Sequence, residues 1–211
     1  MLLLEKVTKS YPQPGGRLPV LDIPRFEVAA GESLVLLGRS GCGKTTLLHV
    51  IAGISRPDSG RVVLDGVQLT ALSESARDRV RADKLGYVFQ TFNLLPGFSA
   101  LENVQLGMTF ARSRRDAARC RKLLERVGLG HRLHHRPAAM SVGEQQRVAV
   151  ARALASPPKM LVGDEASANV ALILVTHATE VAEQFTRVER LEQLNRVVAQ
   201  AAAVGSKGGS A

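Results

Sequence analysis

Nine residues constrain this chain more than any others: Gly38-Arg39-Ser40-Gly41-Cys42-Gly43-Lys44-Thr45-Thr46. They fit the pattern G-x-x-x-x-G-K-[ST]. The apolar run Leu34–Leu37 precedes them, and a helical pattern runs from Gly43 to about Ile54. A strand must therefore end, the chain must turn tightly, and a helix must start. The glycines permit positive φ, so backbone N–H groups turn inward around an anion. The helix N-terminus adds favourable dipole. In this pattern Lys44 meets the β and γ phosphates, Thr45 binds Mg²⁺, and Thr46 contacts a phosphate nearby. A chance Gly-rich turn would explain the glycines, but not strand, loop and helix in that order. Cys42 reads as a small residue in the loop, with a redox role as the lesser alternative.

The rest of the chain must supply a sheet around that strand. "LLLEKVTKSY", "LPVLDIPRFEVAAGE" and "ESLVLLG" are strand-like, separated by Pro and Gly. "RPDSG" is a turn, and "RVVLDG" is a short strand closing in Asp-Gly. "SESARDRVRAD" reads as a helix and "KLGYVF" as a buried strand. Ala117, Cys120, Leu124 and Val127 recur at helical spacing within Arg114–Val127, giving one apolar and one basic face. "SVGEQQRVAVARALA" reads as a helix with Val148, Ala151 and Leu154 on one side. Strands are expected at 159–163 and 171–175, then a short helix at 178–185 and two weak strands, "RVERL" and "RVVA". Strands alternating with helices predict a mainly parallel α/β core. An N-terminal antiparallel β subdomain and an inserted helical subdomain complete it. The expected boundaries are a core of 1–90 and 158–199, a helical insert of 91–157, and a disordered Gly/Ala/Ser-rich tail of 200–211.

Composition excludes some alternatives. Two cysteines, Cys42 and Cys120, give no disulfide framework. No N-terminal signal is visible, and no apolar run approaches the roughly 20 residues of a membrane span. The net charge is +9, and residues 112–136 concentrate it, with nine Arg/Lys against two Asp/Glu. A solvated helix face with a basic loop explains this block most simply. A surface near anionic lipid headgroups and a nucleic-acid patch are the sharper readings. Little aromatic interleaving occurs there, which counts against nucleic acid.

Further motifs follow the phosphate loop in order. "YVFQTFNLLPGFSALENV" places Gln90 at a strand end, "MSVGEQQRVAVARAL" follows about fifty residues on, and then comes "MLVGDE". This order resembles the ATP-binding subunits of ABC transporters, from about Leu3 to Leu191. The phrase "FQTFNLLP…ALENV" is most similar to the branch serving lipoprotein release, macrolide export and peptide efflux. The resemblance implies a P-loop ATPase fold and a site made of named residues. Tyr11 matches the aromatic that stacks on adenine, and Gly38–Thr46 the phosphate loop. Gln90 matches the glutamine that touches Mg²⁺ and the attacking water. Asp164 matches the carboxylate that holds Mg²⁺, Glu165 the general base, and His177 the histidine that contacts the γ-phosphate. Ser141, Gly143 and Glu144 stand where the family signature binds the nucleotide of a partner protomer. Ser141 with Glu144 three residues on is itself a capping box, hence a helix start. The family usually has Gly where this chain has Val142. The resemblance implies ATP and Mg²⁺ as cofactors, and a homodimer that sandwiches ATP. It also implies integral membrane subunits as partners, and a peripheral place on the cytoplasmic face of the inner membrane.

One join departs from the pattern. Only five residues, 166–170, lie between Glu165 and the strand-like "ALILVTH". Parallel neighbouring strands need a crossover of about a dozen residues or more. Five residues at about 3.3 Å each span roughly 17 Å, enough to run back along one strand but not to form a covering helix. Compared with the family, roughly twenty residues are absent here, about one crossover unit. Three functions stand beside one another: the transporter ATPase, a soluble ATPase of the same family acting on nucleic acid, and a nucleotide-binding scaffold with impaired hydrolysis.

Overall fold

The computed structural model describes residues 1–89, 91–109, 111, 116–163, 171–176, 182–183 and 185–199. They form two compact units, one from Met1–Ser73 and Ala171–Ala211, the other from Glu74–Val170.

The first unit opens with a long hairpin, β1 (Leu2–Gln13) and β2 (Gly16–Val28). With β4 (Ser59–Leu64) and β5 (Val67–Gln68) it makes an antiparallel sheet in the order β2-β1-β4-β5. Leu2, Leu4 and Val7 stand opposite Val28, Phe26 and Ile23, and all six are buried. The step from Leu4 to Val7 breaks strict alternation, and Lys6, with φ 50°, takes it up. At the same level the β1–β4 register shifts between Glu5 and Thr8, and Gly60 crosses over Lys6 with φ 88°. A Cβ on Gly60 would overlap the carbonyl oxygens of Lys6 and Glu5. The Asp65-Gly66 turn between β4 and β5 has φ of 47° and 78°. Two positive φ values in a two-residue loop are the type I′ geometry that the Asp-Gly pair predicts.

The second sheet of this unit is parallel. Its centre is β3 (Ser33–Leu37), in which Leu34 to Leu37 are all buried. β8 (Ala171–Thr176) lies on one side and β9 (Arg187–Arg190) on the other. Leu37 registers with both Thr176 and Arg190, so both flanking strands reach the level at which β3 becomes the phosphate loop. Val35, Leu37, Leu174 and Ala182 form a core that Phe185 covers. α1 (Lys44–Ile51) follows the loop, and a short helix, α6 (Leu191–Leu194), follows β9. The expected strand "RVVA" is instead a helical turn, 196–199, with the N–H groups of Val198 and Ala199 on Asn195 O. The reason is the length of β3. It ends at Leu37, opposite Arg190, so residues beyond Arg190 have no strand edge to pair with. Most of the helix expected at 178–185 lies outside the described residues.

The second unit contains α2 (Glu74–Lys84), β6 (Leu85–Val88), α3 (Ala100–Leu106), α4 (Ala117–Arg126), α5 (Val142–Ala153) and β7 (Met160–Gly163). β6 and β7 pair in parallel, Leu85 with Met160 through Val88 with Gly163. Val104, Cys120, Leu124, Leu129, Val148 and Ala151 make the helical core. α4 buries Cys120 and Leu124 as its spacing predicts, and turns Arg121, Lys122 and Arg126 outward. Ala117, expected on the apolar face, is exposed because it is the first residue of the helix, just after the Asp116 cap.

Gly60 gives a direct test of the bend in the β subdomain. Gly60→Ala meets both an unfavourable φ and an overlap with backbone, and should cost about 2–3 kcal/mol. Urea unfolding of the variant against the parent chain measures it, with nucleotide binding retained.

Candidate functional site

β3 delivers the chain into the loop at Gly38, and the loop closes on α1. Gly41 and Gly43 have φ of 79° and 97°, and Gly43 caps the helix. A Cβ on Gly43 would come within 3.1 Å of Leu21 Cδ2 and Val20 O, so the loop lies close against β2. α1 has no side-chain cap and no acidic residue in its first turn. Its first backbone bond runs from Leu47 N–H to Gly43 O at 2.8 Å. The N–H groups of the first turn, with their share of the helix dipole, are thus left for an anion. Lys44 starts this helix, and its Nζ donates to Gly38 O at 2.6 Å and Arg39 O at 2.7 Å. Thr45 is exposed and Thr46 half-buried on the same turn, while Arg39, Ser40 and Gly41 are exposed in the loop. Cys42 is buried, and burial pushes its thiol up against the opposing pull of Lys44. A thiol held protonated is a poor redox nucleophile, which fits the small-residue reading.

Two residues that the sequence analysis passed over hold this loop. Asn195 is fully buried. Its Oδ1 accepts from Asp22 N–H at 2.9 Å, and its Nδ2 donates to Val20 O at 2.7 Å and Cys42 O at 3.3 Å. One carboxamide thereby ties β2 to the phosphate loop. Glu192, on α6, accepts Arg39 N–H at 2.7 Å through Oε1. Burial raises its carboxyl pKa, but the N–H groups of Arg39 and of Glu192 itself, with Lys44 and Arg190, outweigh that and hold it below the ordinary value. The available signal was "RVERLEQLN" as one unit: a strand too short to reach Asn195, then two polar residues turned back toward the loop.

Tyr11 lies near the hairpin tip, opposite Leu18, and both are substantially exposed. The Lys9 ammonium sits 5.4 Å from the Tyr11 ring centroid. Val20, two residues beyond Leu18, is the β2 residue that meets Gly43, so the hairpin brings Tyr11 to the strand that supports the loop.

In the second unit, Ser141 caps α5 with the full capping box. Ser141 Oγ accepts from Glu144 N–H at 3.2 Å, and Ser141 N–H donates to Glu144 Oε2 at 2.8 Å. The Arg132 guanidinium pairs with Glu144 Oε1 at 3.1 Å. The Ser141 N–H, then Arg132, hold the Glu144 carboxyl below its usual range against the desolvation that would raise it. Val142 is 70% exposed. A side chain on Gly143 would meet nothing nearer than Arg147 Nη1 at 3.8 Å. Among the described residues no group of three His, Cys, Asp or Glu is placed to hold a metal. Gln90, Asp164, Glu165 and His177 lie outside the described residues. The structure thus assembles Gly38–Thr46 with Tyr11's hairpin in one unit and the Ser141–Glu144 helix start in the other.

Asn195→Leu should destabilise the chain by about 2–4 kcal/mol, since it strands two buried carbonyls and one N–H. Nucleotide affinity should fall with it, as measured by urea unfolding and titration with a fluorescent ATP analogue. Glu192→Gln tests the pH dependence. A lowered folded pKa means the carboxylate's contribution is present above the unfolded Glu value and is lost as pH falls through the folded one. The stability gap between parent and Glu192→Gln should therefore be open at neutral pH and close on acidification.

The profile of the family described as ABC transporter matches residues 21–168. The lipoprotein-releasing system ATP-binding protein LolD 2 of Caulobacter vibrioides is 45% identical, covering 91% of this chain and 94% of its own length. LolD of Xanthomonas campestris pv. campestris is 39% identical, covering 90% and 89%. The ATP-binding cassette MJ0796, solved as a dimer in a post-hydrolysis state bound to ADP and Pi, superposes with a TM-score of 0.83 at 30% identity, covering 90% of this chain and 94% of that one. The fold, with its antiparallel β subdomain and parallel sheet, is the one the sequence leads one to expect. The alignment with the Caulobacter protein is 215 positions long, more than the 211 residues of this chain, of which it uses 91%. About two dozen aligned positions therefore have no residue here. With a profile spanning most of its length and relatives aligned over nine-tenths of it, the chain belongs to the ABC transporter family.

Proposed function

We propose that this chain is the ATP-binding and ATP-hydrolysing subunit of an ABC transporter that powers export or lipoprotein release through separate membrane subunits. The observation that carries the reading is the uncapped start of α1 with Lys44 already arched over the loop. The two acceptors of Lys44 are neutral carbonyls. Phosphate oxygens form charge-assisted bonds roughly twice as strong, so the ammonium transfers to the β and γ phosphates when ATP enters. Tyr11 and Leu18 offer exposed apolar surface to the adenine. The Thr45 hydroxyl, with Gln90 and Asp164, would hold Mg²⁺, which when bound neutralises charge on the β and γ phosphates. Glu165 orients the hydrolytic water and His177 contacts the γ-phosphate, as the family resemblance implies.

The start of α5 serves a nucleotide held by a second copy of the chain. Its N–H groups form a positive end, and Glu144 keeps that end in shape through the capping box. Packing within the chain leaves room for a side chain at Gly143, so the absence of one there suits a contact from outside. Val142 turns its side chain to solvent and does not cover its own helix start. Leu95 and Phe98, 44% and 41% exposed in the segment before α3, provide an apolar surface for a membrane subunit. Among the described residues no helix is long and apolar enough to cross a membrane, so attachment at the cytoplasmic face runs through those subunits.

A second reading rests on the short join between Glu165 and Ala171. The aligned positions lacking a residue here match one crossover in length. If all of them fall at that join, ATP binding persists while coupling across the dimer and turnover weaken.

Titration with MgATP, and phosphate release by the purified chain at an intact mass of 22.6 kDa, separate the two readings. Lys44→Ala should weaken MgATP binding by about 50-fold or more, through loss of charge-assisted bonds. Binding as in the parent would overturn the proposal. Gly143→Asp should leave stability within about 0.5 kcal/mol, as expected for a residue with free space. Phosphate release should fall about 100-fold, by like-charge repulsion of the partner's nucleotide.

A further inference from the structure

Arg152 lies near the C-terminal end of α5, and its guanidinium has no carboxylate partner among the described residues. It donates from Nη1 to Asn93 O at 2.7 Å and from Nη2 to Phe92 O at 2.5 Å. Burial draws its pKa down, the expected response of a cation answered only by carbonyl dipoles. Both acceptors belong to residues in the left-handed region, Phe92 with φ 58° and Asn93 with φ 47°, and neither is glycine. Two such residues in succession are unfavourable for L-amino acids and persist only where the surroundings impose them. The turn's own bonds are short-range: Phe92 N–H to Phe89 O at 2.9 Å, Asn93 N–H to Thr91 O at 2.6 Å, and Thr91 Oγ1 to Asn93 Oδ1 at 2.8 Å. Arg152 supplies the long-range restraint.

The segment just beyond is fixed as firmly. Asn103 of α3 is fully buried, and its Oδ1 accepts Leu95 N–H at 2.8 Å. Its Nδ2 donates to Leu95 O, Phe98 O and Ser99 O at 3.1, 3.1 and 3.0 Å. α3 is in turn tied to the end of α5 by Ser156 Oγ, which donates to Gly107 O at 3.0 Å. Arg119 of α4 holds the two carbonyls just past α5, from Nε to Ala155 O at 2.9 Å and from Nη2 to Leu154 O at 3.1 Å. α5 is thus a bar of about 18 Å, held at its C-terminal end by these bonds and at the start that carries Ser141 and Gly143 by Arg132 on Glu144 and by Gln145 Nε2, which donates to Pro137 O and Met140 O.

We propose that Arg152 is a positioning residue that locks the turn Thr91–Asn93, the chain immediately after Gln90, to α5, so that the turn and the helix start at Ser141 move as one body. This rests on the proposed roles of Gln90 at the nucleotide and of Ser141 and Gly143 at the partner's nucleotide. A displacement at either end of α5 then reaches the other without passing through solvent-exposed loop.

The test uses the full chain with Arg152→Met, Arg152→Lys, Asn93→Gly and the double variant Asn93→Gly/Arg152→Met. Methionine keeps an apolar stem and removes every donor. Amide hydrogen exchange of Phe92 and Asn93 should speed about tenfold or more in Arg152→Met, with Glu102 and Gln145 unchanged within about twofold. Arg152→Lys should fall between. Asn93→Gly should restore most of the protection in the double variant, since glycine adopts φ 47° freely. In phosphate release, kcat for MgATP should fall about tenfold in Arg152→Met with KM within about twofold, the signature of a misplaced but intact site. Unchanged exchange at Phe92 and Asn93 overturns the proposal. So does faster exchange spread evenly over 74–163, which marks a merely structural role. A parent chain without phosphate release would count against the function proposed above, while the exchange arm and its glycine rescue still decide the clamp.

Discussion

The feature on which the rest depends is a five-residue strand whose last four residues are buried leucines and a valine. β3 is buried from Leu34 to Leu37 and hydrogen-bonded on both edges, by β8 and by β9. A strand with that many backbone bonds cannot slide or rotate, so the point where it ends is fixed. It ends at Leu37, and the next residue is the first glycine of the phosphate loop. The loop's geometry then follows from a short list of constraints: close approach to Val20 and Leu21 at Gly43, an uncapped helix, and the Asn195 carboxamide from below. Hydrophobic burial fixes the position of the loop, and unsatisfied backbone groups determine its chemistry.

Much of this was legible in the sequence because the physics involved is local. The glycine spacing, the buried run before it and the helical period after it each have a short-range cause; loop and strand appear where expected, and the helix, expected to about Ile54, ends at Ile51, where Ala52 and Gly53 turn the chain. The Ser141–Glu144 capping box is likewise a relation between residues three apart, and both of its hydrogen bonds form. What escaped is of the opposite kind. Asn195 and Glu192 act on residues more than 150 positions away, and a short strand followed by polar residues does not name those partners. The weak strand expected at "RVVA" failed for a related reason. Propensity favoured it, but the edge it would need runs out at Leu37. Arg152 sat unremarked inside a helix pattern because its partners, Phe92 and Asn93, were legible only as loop.

The departure of Val142 from the family's usual glycine changes meaning once its surroundings are known. A β-branched residue at the first position of a helix costs little, because no preceding turn crowds its χ1. Its side chain is largely in solvent and does not cover the helix start, where the Ser141 hydroxyl takes only the Glu144 N–H. Any cost of the substitution therefore falls on what approaches from outside. Gly143, with space around it, is the residue across which that approach remains open.

The same reasoning bears on the short join after Glu165. β8 is a genuine parallel partner of β3, in register from Ser33–Leu172 to Leu37–Thr176. Four consecutive hydrophobic residues in register, Leu172 to Val175, do not arise from a segment that has lost its place in the sheet, because a slip of one residue would reverse every side chain. Burial of Ile173, Leu174 and Val175 beside the aliphatic run of β3 holds β8 in place. The phosphate loop and the strand beside it thus take their places from packing within one chain.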